Sequence, residues 1–299
     1  MKRELTGVLN CNKPAGWTSF DVIRKLRSAL GVKKMGHTGS LDPIATGVLV
    51  ICLGKATRLV QLLMANDKEY VAGFRFGAAT DTYDSEGAVT SEGPLPENLA
   101  AAIEERIDEF RGEIMQIPPP YSAAKKDGER LYKLAREGKP TDVPPRPVTI
   151  HRFELMGIEG DLATMKITCS KGTYVRGLAH ELGKALGCGA HLAGLTRTRN
   201  GIFNVEDGLS VDIARAELSE AAEAAIIPPE KALAYLPKTE IIGDDLARYL
   251  NGMAVPILDK LPLGQQARVF GPTGFIGVGT VEPGRGGAAI HPTITIHRG

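Results

Sequence analysis

Asp42 is a residue of this chain whose type and setting could do chemistry. It stands in Gly36-His37-Thr38-Gly39-Ser40-Leu41-Asp42-Pro43-Ile44-Ala45-Thr46-Gly47, a glycine-punctuated stretch that runs into the apolar segment 48–53. A loop feeding a buried strand holds its polar side chains on a rigid element. A carboxylate held in this way can act as a nucleophile without a metal or organic cofactor. The stretch has neither G-x-x-x-x-G-K-[ST] nor G-x-G-x-x-G, so it does not read as a phosphate-cradling loop. Pro43 biases Asp42 to an extended backbone, and an Asp-Pro pair on its own is usually an ordinary turn.

A carboxylate in a closing pocket takes up a proton unless a cation within about 4–6 Å favours the charged form, lowering its pKa by roughly 1–3 units. Arg176 is the candidate cation. It falls in the first turn of the helix read over 173–186, where the macrodipole disfavours positive charge by roughly 0.3–1 kcal/mol. That misfit hints at a partner elsewhere. Tyr70 opens an alternating strand and Tyr174 stands two residues before Arg176; by residue type alone each is more often half-buried packing than a wall of a site.

Several elements must position these groups. Residues 7–12 read as a strand ending at Lys13-Pro14. Thr18 with Asp21 three residues on reads as a capping box, Val22, Ile23, Leu26 and Leu30 follow at helical spacing, and Gly31 stops the helix. Residues 47–53 read as a buried strand with a helix behind it through Leu59 and Leu63. Residues 94–110 read as an acidic helix, 129–136 as a basic one. Ile117-Pro118-Pro119-Pro120-Tyr121 cannot be a regular element, because three prolines fix φ and remove donors. Residues 148–158 and 163–169 read as paired strands joined through Glu159-Gly160-Asp161. Beyond about residue 236, short strands and tight turns suggest a small β domain.

The 299 residues allow one large domain and a small one. No apolar run approaches the roughly 18 residues of a membrane helix, and the charged N-terminus has no apolar signal region behind it, so a cytoplasmic protein is expected. Cys11, Cys52, Cys169 and Cys188 form no C-x-x-C pair, which argues against a zinc site or a disulfide framework. Net charge is only +1, but it is segregated. Residues 1–38 carry eight Lys/Arg against two acids, 165–199 six against one, and 76–113 two against ten. One basic face for phosphates and an acidic back fit this distribution.

The segment 36–57 resembles the catalytic motif of the TruB family of tRNA pseudouridine synthases. The resemblance continues in Lys13-Pro14-Ala15-Gly16-Trp17-Thr18-Ser19, Asp67-Lys68-Glu69-Tyr70, the stretch from Gly77 to Asp84, Gln116 to Arg136, Ser170-Lys171-Gly172-Thr173-Tyr174-Val175-Arg176, and Gly189 to Leu195. It covers about residues 7–205. It implies an α+β fold: a pseudouridine synthase domain over 1–235 with a central mixed, largely antiparallel sheet flanked by helices, and a C-terminal PUA-like β domain over 236–299. It also implies that a uridine of the tRNA T-arm, at position 55 in the TΨC loop, is flipped out and isomerised. Asp42 would attack, Tyr70 and Arg176 would complete the catalytic set, and His37, Tyr70, Tyr174, Leu195 and Lys13 would meet the substrate, Lys13 chiefly as loop support. No cofactor, metal or obligatory protein partner is implied, and a monomer is expected. The insert at about 115–148, with seven Lys/Arg against four acids in 122–148, would clamp the stem-loop.

Three other readings compete. A guided enzyme of the dyskerin kind would share these motifs, but the compact length favours a stand-alone form. An RNA-binding protein with a decayed site fits poorly with intact Asp42, Tyr70 and Arg176. A nucleotide hydrolase lacks the lysine-containing phosphate motif.

Overall fold

A computed structural model describes residues 5–122, 124–139, 141–284 and 287–296; the charged start of the chain lies outside them. The chain begins with β1 (Gly7–Lys13), α1 (Ser19–Leu30), β2 (Met35–His37), β3 (Ala45–Leu53), α2 (Val60–Met64), β4 (Lys68–Phe76), β5 (Ala78–Thr80) and β6 (Val89–Glu92). Then follow α3 (Leu99–Arg106), β7 (Gly112–Gln116), β8 (Lys125–Lys126), β9 (Glu129–Arg130), α4 (Leu131–Arg136), β10 (Arg146–Glu159), β11 (Leu162–Cys169) and α5 (Val175–Ala185). Next come β12 (Ala190–Asn200), β13 (Phe203–Asn204), β14 (Leu209–Ser210), α6 (Arg215–Ala224) and α7 (Pro229–Ala232). The chain ends in β15 (Lys238–Glu240), α8 (Asp244–Leu250), β16 (Val255–Pro256), β17 (Gln266–Gly271), β18 (Gly274–Gly284) and β19 (Gly287–Thr295).

The main sheet runs β14-β1-β3-β12-β4-β11-β10-β7, with β2 and β13 added beside β3 and β12. It is mixed: β1/β14 and β3/β12 are parallel, the other pairs antiparallel. A second sheet, β15-β17-β18-β19-β16, forms the C-terminal β domain. The class is α+β, as the sequence suggests.

The unbroken apolar run of β3 has a simple cause. Alternate side chains leave a strand on opposite faces, and both faces of β3 are covered. Leu49, Ile51 and Leu53 enter one core with Val22, Ile23, Leu26 and Phe74. Val48, Val50 and Cys52 enter another, against Phe275, Val278 and Ile296 of the C-terminal sheet. At about 1.5–3 kcal/mol per fully buried Val, Leu or Ile, this two-sided burial fixes the strand beneath the Asp42 loop.

Local chemistry sets the ends of α1. Thr18 and Asp21 form a reciprocal capping box, and Gly31 closes the helix in the left-handed region at φ 68°. The 159–162 hairpin forms as expected, with Glu159 opposite Leu162. Three expectations need correction, and one strand was not foreseen. The acidic helix begins at Leu99, capped by Asn98, because two prolines precede it. The basic helix begins at Leu131, after the β8–β9 hairpin. The irregular 36–47 loop is shorter, since Met35–His37 pairs with β3 and β3 itself starts at Ala45. The segment 190–195 is part of a long central strand, β12, clasped between β3 and β4.

Candidate active site

The loop between β2 and β3 is pinned from three directions. From α1, Ser19 Oγ accepts from Leu41 N at 2.8 Å and donates to Leu41 O at 3.2 Å. From β12, Arg197 Nη2 donates to Gly39 O at 3.1 Å and Asn200 Nδ2 to Thr38 Oγ1, also at 3.1 Å. From β1, Lys13 Nζ reaches Pro43 O at 3.3 Å. Asp42 is thus carried on a braced turn, its own carbonyl accepting from Ala45 N at 3.0 Å.

Arg176, on the first turn of α5, is buried and meets Asp42 directly. Its Nε lies 2.9 Å from Asp42 Oδ2. Its Nη1 donates to Asp84 Oδ2 at 3.1 Å and to Thr82 O at 3.0 Å, and its Nη2 to Tyr121 O at 3.1 Å. One guanidinium therefore ties together the Asp42 loop, the 82–84 turn and the root of the basic insert. The unfavourable helix position is outweighed by two charge-assisted bonds of roughly 1.5–3 kcal/mol each.

Burial pushes the Asp42 carboxyl above its ordinary value; Arg176 opposes this, the Asp84 charge reinforces it, and Lys13 opposes it. The expectation of a net lowering by the cation is corrected here. Arg176 is shared with a second carboxylate, so its charge does not cancel the loss of solvation. The carboxyl nevertheless keeps 42% of its side-chain surface open, so an incoming group can reach it.

Tyr70 and Arg197 are cross-strand partners on β4 and β12. The Tyr70 ring is buried, which raises its hydroxyl pKa, while the charge and hydrogen bond of Arg197 pull it back. Arg197 is itself wholly enclosed, with Nε on Val48 O at 2.6 Å. Tyr174 stands immediately before α5, clamped by the Gln116 amide, which accepts from its N at 2.8 Å and donates to its O at 2.9 Å. His37 accepts from Gly39 N at 3.3 Å through Nδ1, and burial with the nearby Arg197 charge lowers its pKa. Leu195 lies in the ladder between Ala45 and Ala72 and packs on the core, its carbonyl accepting from Thr46 Oγ1 at 3.4 Å.

Lys13 is a correction to the substrate-contacting set. It is 0% exposed, and its ammonium donates to the carbonyls of Pro14, Trp17 and Pro43. Its pKa falls to about 8, from burial first. It braces the loop, its ammonium taken up by these three carbonyls. Asp84, Arg197 and Gln116 are the residues that sequence reasoning missed. Asp84 was submerged in an acidic stretch, although its place at the end of Thr80-Asp81-Thr82-Tyr83, hydroxyls ready to bond it, was a usable signal.

Residues 27–175 match the family model described as TruB family pseudouridylate synthase (N terminal domain), and 176–234 match tRNA pseudouridylate synthase B C-terminal domain. The chain belongs to the TruB family. Curated TruB relatives carry the name tRNA pseudouridine synthase B. That of Ralstonia nicotianae is 42% identical over 283 residues, covering 92% of this chain and 89% of the relative. That of Pseudomonas fluorescens strain Pf0-1 is 42% identical over 291 residues, covering 95% of each. Among solved structures, a Cbf5–Nop10–Gar1 complex matches with TM-score 0.72 at 30% identity, covering 97% of this chain and 85% of that one. An H/ACA ribonucleoprotein bound to a substrate RNA containing 2′-deoxyuridine matches with TM-score 0.70 at 28% identity, over the same shares. As a TruB protein this chain is an isomerase that makes pseudouridine in tRNA. Among the described residues no group of His, Cys, Asp and Glu is arranged to hold a metal ion, and no helix is long and apolar enough to cross a membrane.

Proposed function

We propose that the chain isomerises the uridine at position 55, in the TΨC loop of tRNA, with Asp42 as the nucleophile. The observation that supports this most is the Asp42 carboxylate, fixed by Arg176 Nε at 2.9 Å yet partly open. The reaction breaks the C1′–N1 bond, turns the uracil, and joins C1′ to C5. The proton lost from C5 balances the one gained at N1. Asp42 supplies the covalent partner while the base turns, whether it attacks C1′ or C6.

The target base lies within a loop and is extruded at a cost of a few kcal/mol. Tyr70 and Tyr174 line its pocket, His37 and the Leu195 backbone meet its surroundings, and Tyr70 is the group for the C5 proton. Its hydroxyl is protonated at rest, so it acts as a relay: it gives its own proton to solvent as it takes the one from C5, N1 drawing its proton from solvent in turn. Arg197 beside it stabilises the charge on the phenol oxygen. The insert at 115–148 clamps the RNA. It has its own small core of Ala124, Leu131 and Leu134, and Arg130 and Arg136 lie over the Tyr132 ring. We assign residues 1–235 to catalysis and 236–299 to a PUA-like RNA-binding role, in a cytoplasmic monomer that needs no protein partner.

Tritium release from C5-labelled uridine in an unmodified tRNA transcript tests the reading. Release from the wild-type transcript by the protein alone is expected, and none from a transcript with cytidine at position 55. Failure of the first, or release in the second, refutes it.

A further inference from the structure

The outer face of α1 carries features that the reaction does not use. Trp17, Asp21, Arg24, Lys25 and Ser28 line an open depression of about 530 Å³. Beside it Phe20 is 59% exposed, with the Arg27 guanidinium 5.9 Å from its ring centroid. Two aromatic rings are thus interleaved with three cations on one short stretch. Phe20 is the exposed ring of the two; Trp17 is half-buried, with one side packed on the core and the other lining the depression. Asp21 pairs with Arg24 at 2.7 Å and with Thr18, which offsets one cation and leaves the face with an excess of positive charge from Lys25 and Arg27.

The depression is also coupled to the catalytic loop. The Lys13 ammonium that bonds Trp17 O at 2.6 Å also bonds Pro43 O at 3.3 Å, next to Asp42. Gly16 N donates to Pro43 O at 2.9 Å. The Trp17 backbone therefore sits one side chain away from the loop that bears the nucleophile. Aromatic rings offer sequence-tolerant stacking platforms for unpaired bases, and neighbouring Arg and Lys take the phosphates.

We propose that Trp17, with Arg24 and Lys25, forms a second nucleotide subsite, which stacks an unpaired base of the substrate RNA and holds its flanking phosphates. The proposal rests on the tRNA-modifying reading above and adds a contact outside the catalytic pocket. Trp17 is the single tryptophan of the chain, so intrinsic indole fluorescence reports on this place alone.

The test titrates unmodified tRNA transcript into the full-length protein, following Trp17 fluorescence together with the anisotropy of an end-labelled transcript. The expected result is saturable quenching with the midpoint of the anisotropy curve. Trp17→Ala is expected to weaken binding at least about fivefold. Trp17→Phe, which keeps a ring, should recover most of that loss, and a urea midpoint of Trp17→Ala close to wild type separates stacking from lost packing on the core. Arg24→Gln with Lys25→Gln should flatten the salt dependence of log Kd by about 1–2. Anisotropy that saturates while fluorescence stays constant overturns the subsite and leaves the enzyme reading standing. No anisotropy change with any tRNA overturns both.

Discussion

Arg176→Lys tests whether one planar cation organises the site. The guanidinium makes two bonds to carboxylates and two to carbonyls, all between 2.9 and 3.1 Å. An ammonium has three donors on a point, without the fork geometry, and cannot span Asp42, Asp84, Thr82 and Tyr121 at once. A lysine ends one atom short of Nη1 and Nη2, so whichever bonds its ammonium keeps, it no longer ties the Asp42 loop to the 82–84 turn and the insert, and the carboxylate shifts. The loss of one charge-assisted bond is worth roughly 1.5–3 kcal/mol. A misplacement of about 1 Å at the nucleophile costs a further factor on the order of a hundred. Together these put kcat/KM down by roughly 10³–10⁴. Arg176→Ala should be worse and should also destabilise the fold by about 3–5 kcal/mol, since it strands the buried Asp84 carboxylate. The Asp42 carboxyl already sits above its ordinary value; removing the cation raises it further, so the acid limb of the pH–rate profile should move to higher pH. Single-turnover rates across pH, with urea melts of the same variants, check both parts. Arg176→Lys within twofold of wild type, with an unmoved acid limb, would refute the reasoning.

Asp42→Ala and Asp42→Asn should abolish tritium release while leaving tRNA Kd within about tenfold, because phosphate contacts dominate affinity; measurable turnover by either variant would remove Asp42 as nucleophile. Asp42→Asn should also melt at or above the wild-type temperature near neutral pH. A carboxyl whose folded pKa is raised contributes stability below its unfolded pKa and loses it as pH rises through the folded value. The gap between the two proteins should therefore close on acidification, and a gap that widens contradicts the sign. Gly47→Ala should cost at least about 2 kcal/mol by chemical denaturation, since φ is +95° and a Cβ there would stand 2.3 Å from Arg197 O. Deleting residues 237–299 uncovers Val8, Val48, Val50 and Cys52, so the shortened chain should unfold at markedly lower urea; an unchanged midpoint would show that the C-terminal sheet adds no stability to the catalytic layer.

What the sequence revealed and what it concealed have physical reasons. The α1 cap, its Gly31 stop and the 159–162 hairpin rest on local rules and were legible. The meeting of Asp42 and Arg176, far apart in the chain, was legible through motif resemblance supported by one misfit, a cation at a helix start. Asp84 was hidden because a buried acid looks like any other acid until its partner is known, and its partner lies 92 residues away. Strand β12 was hidden because Thr196-Arg197-Thr198-Arg199 reads as solvated polar sequence. Arg197 is buried there only because carbonyls from two other segments accept its protons. The C-terminal turns announced a β domain, yet α8 carries too short a periodic stretch to stand out among them.

The place of β12 in the sheet has a consequence for how the protein is born. The ribosome delivers β1, β2 and β3 first, then β4, β7, β10 and β11, and only afterwards the strand that joins the two groups. Until about residue 200 has emerged, β4 presents an unpaired edge and β3 one that only β2 covers, over Ile51–Leu53, the kind of surface that recruits stray strands. Arg176 reaches its partners within the same late window. The enzyme therefore cannot acquire an ordered catalytic centre piecemeal: sheet closure and site assembly are one late event. In nascent chains stalled at successive lengths, protection of β3 and β4 should become complete only once residue 200 is free, together with the ordered site.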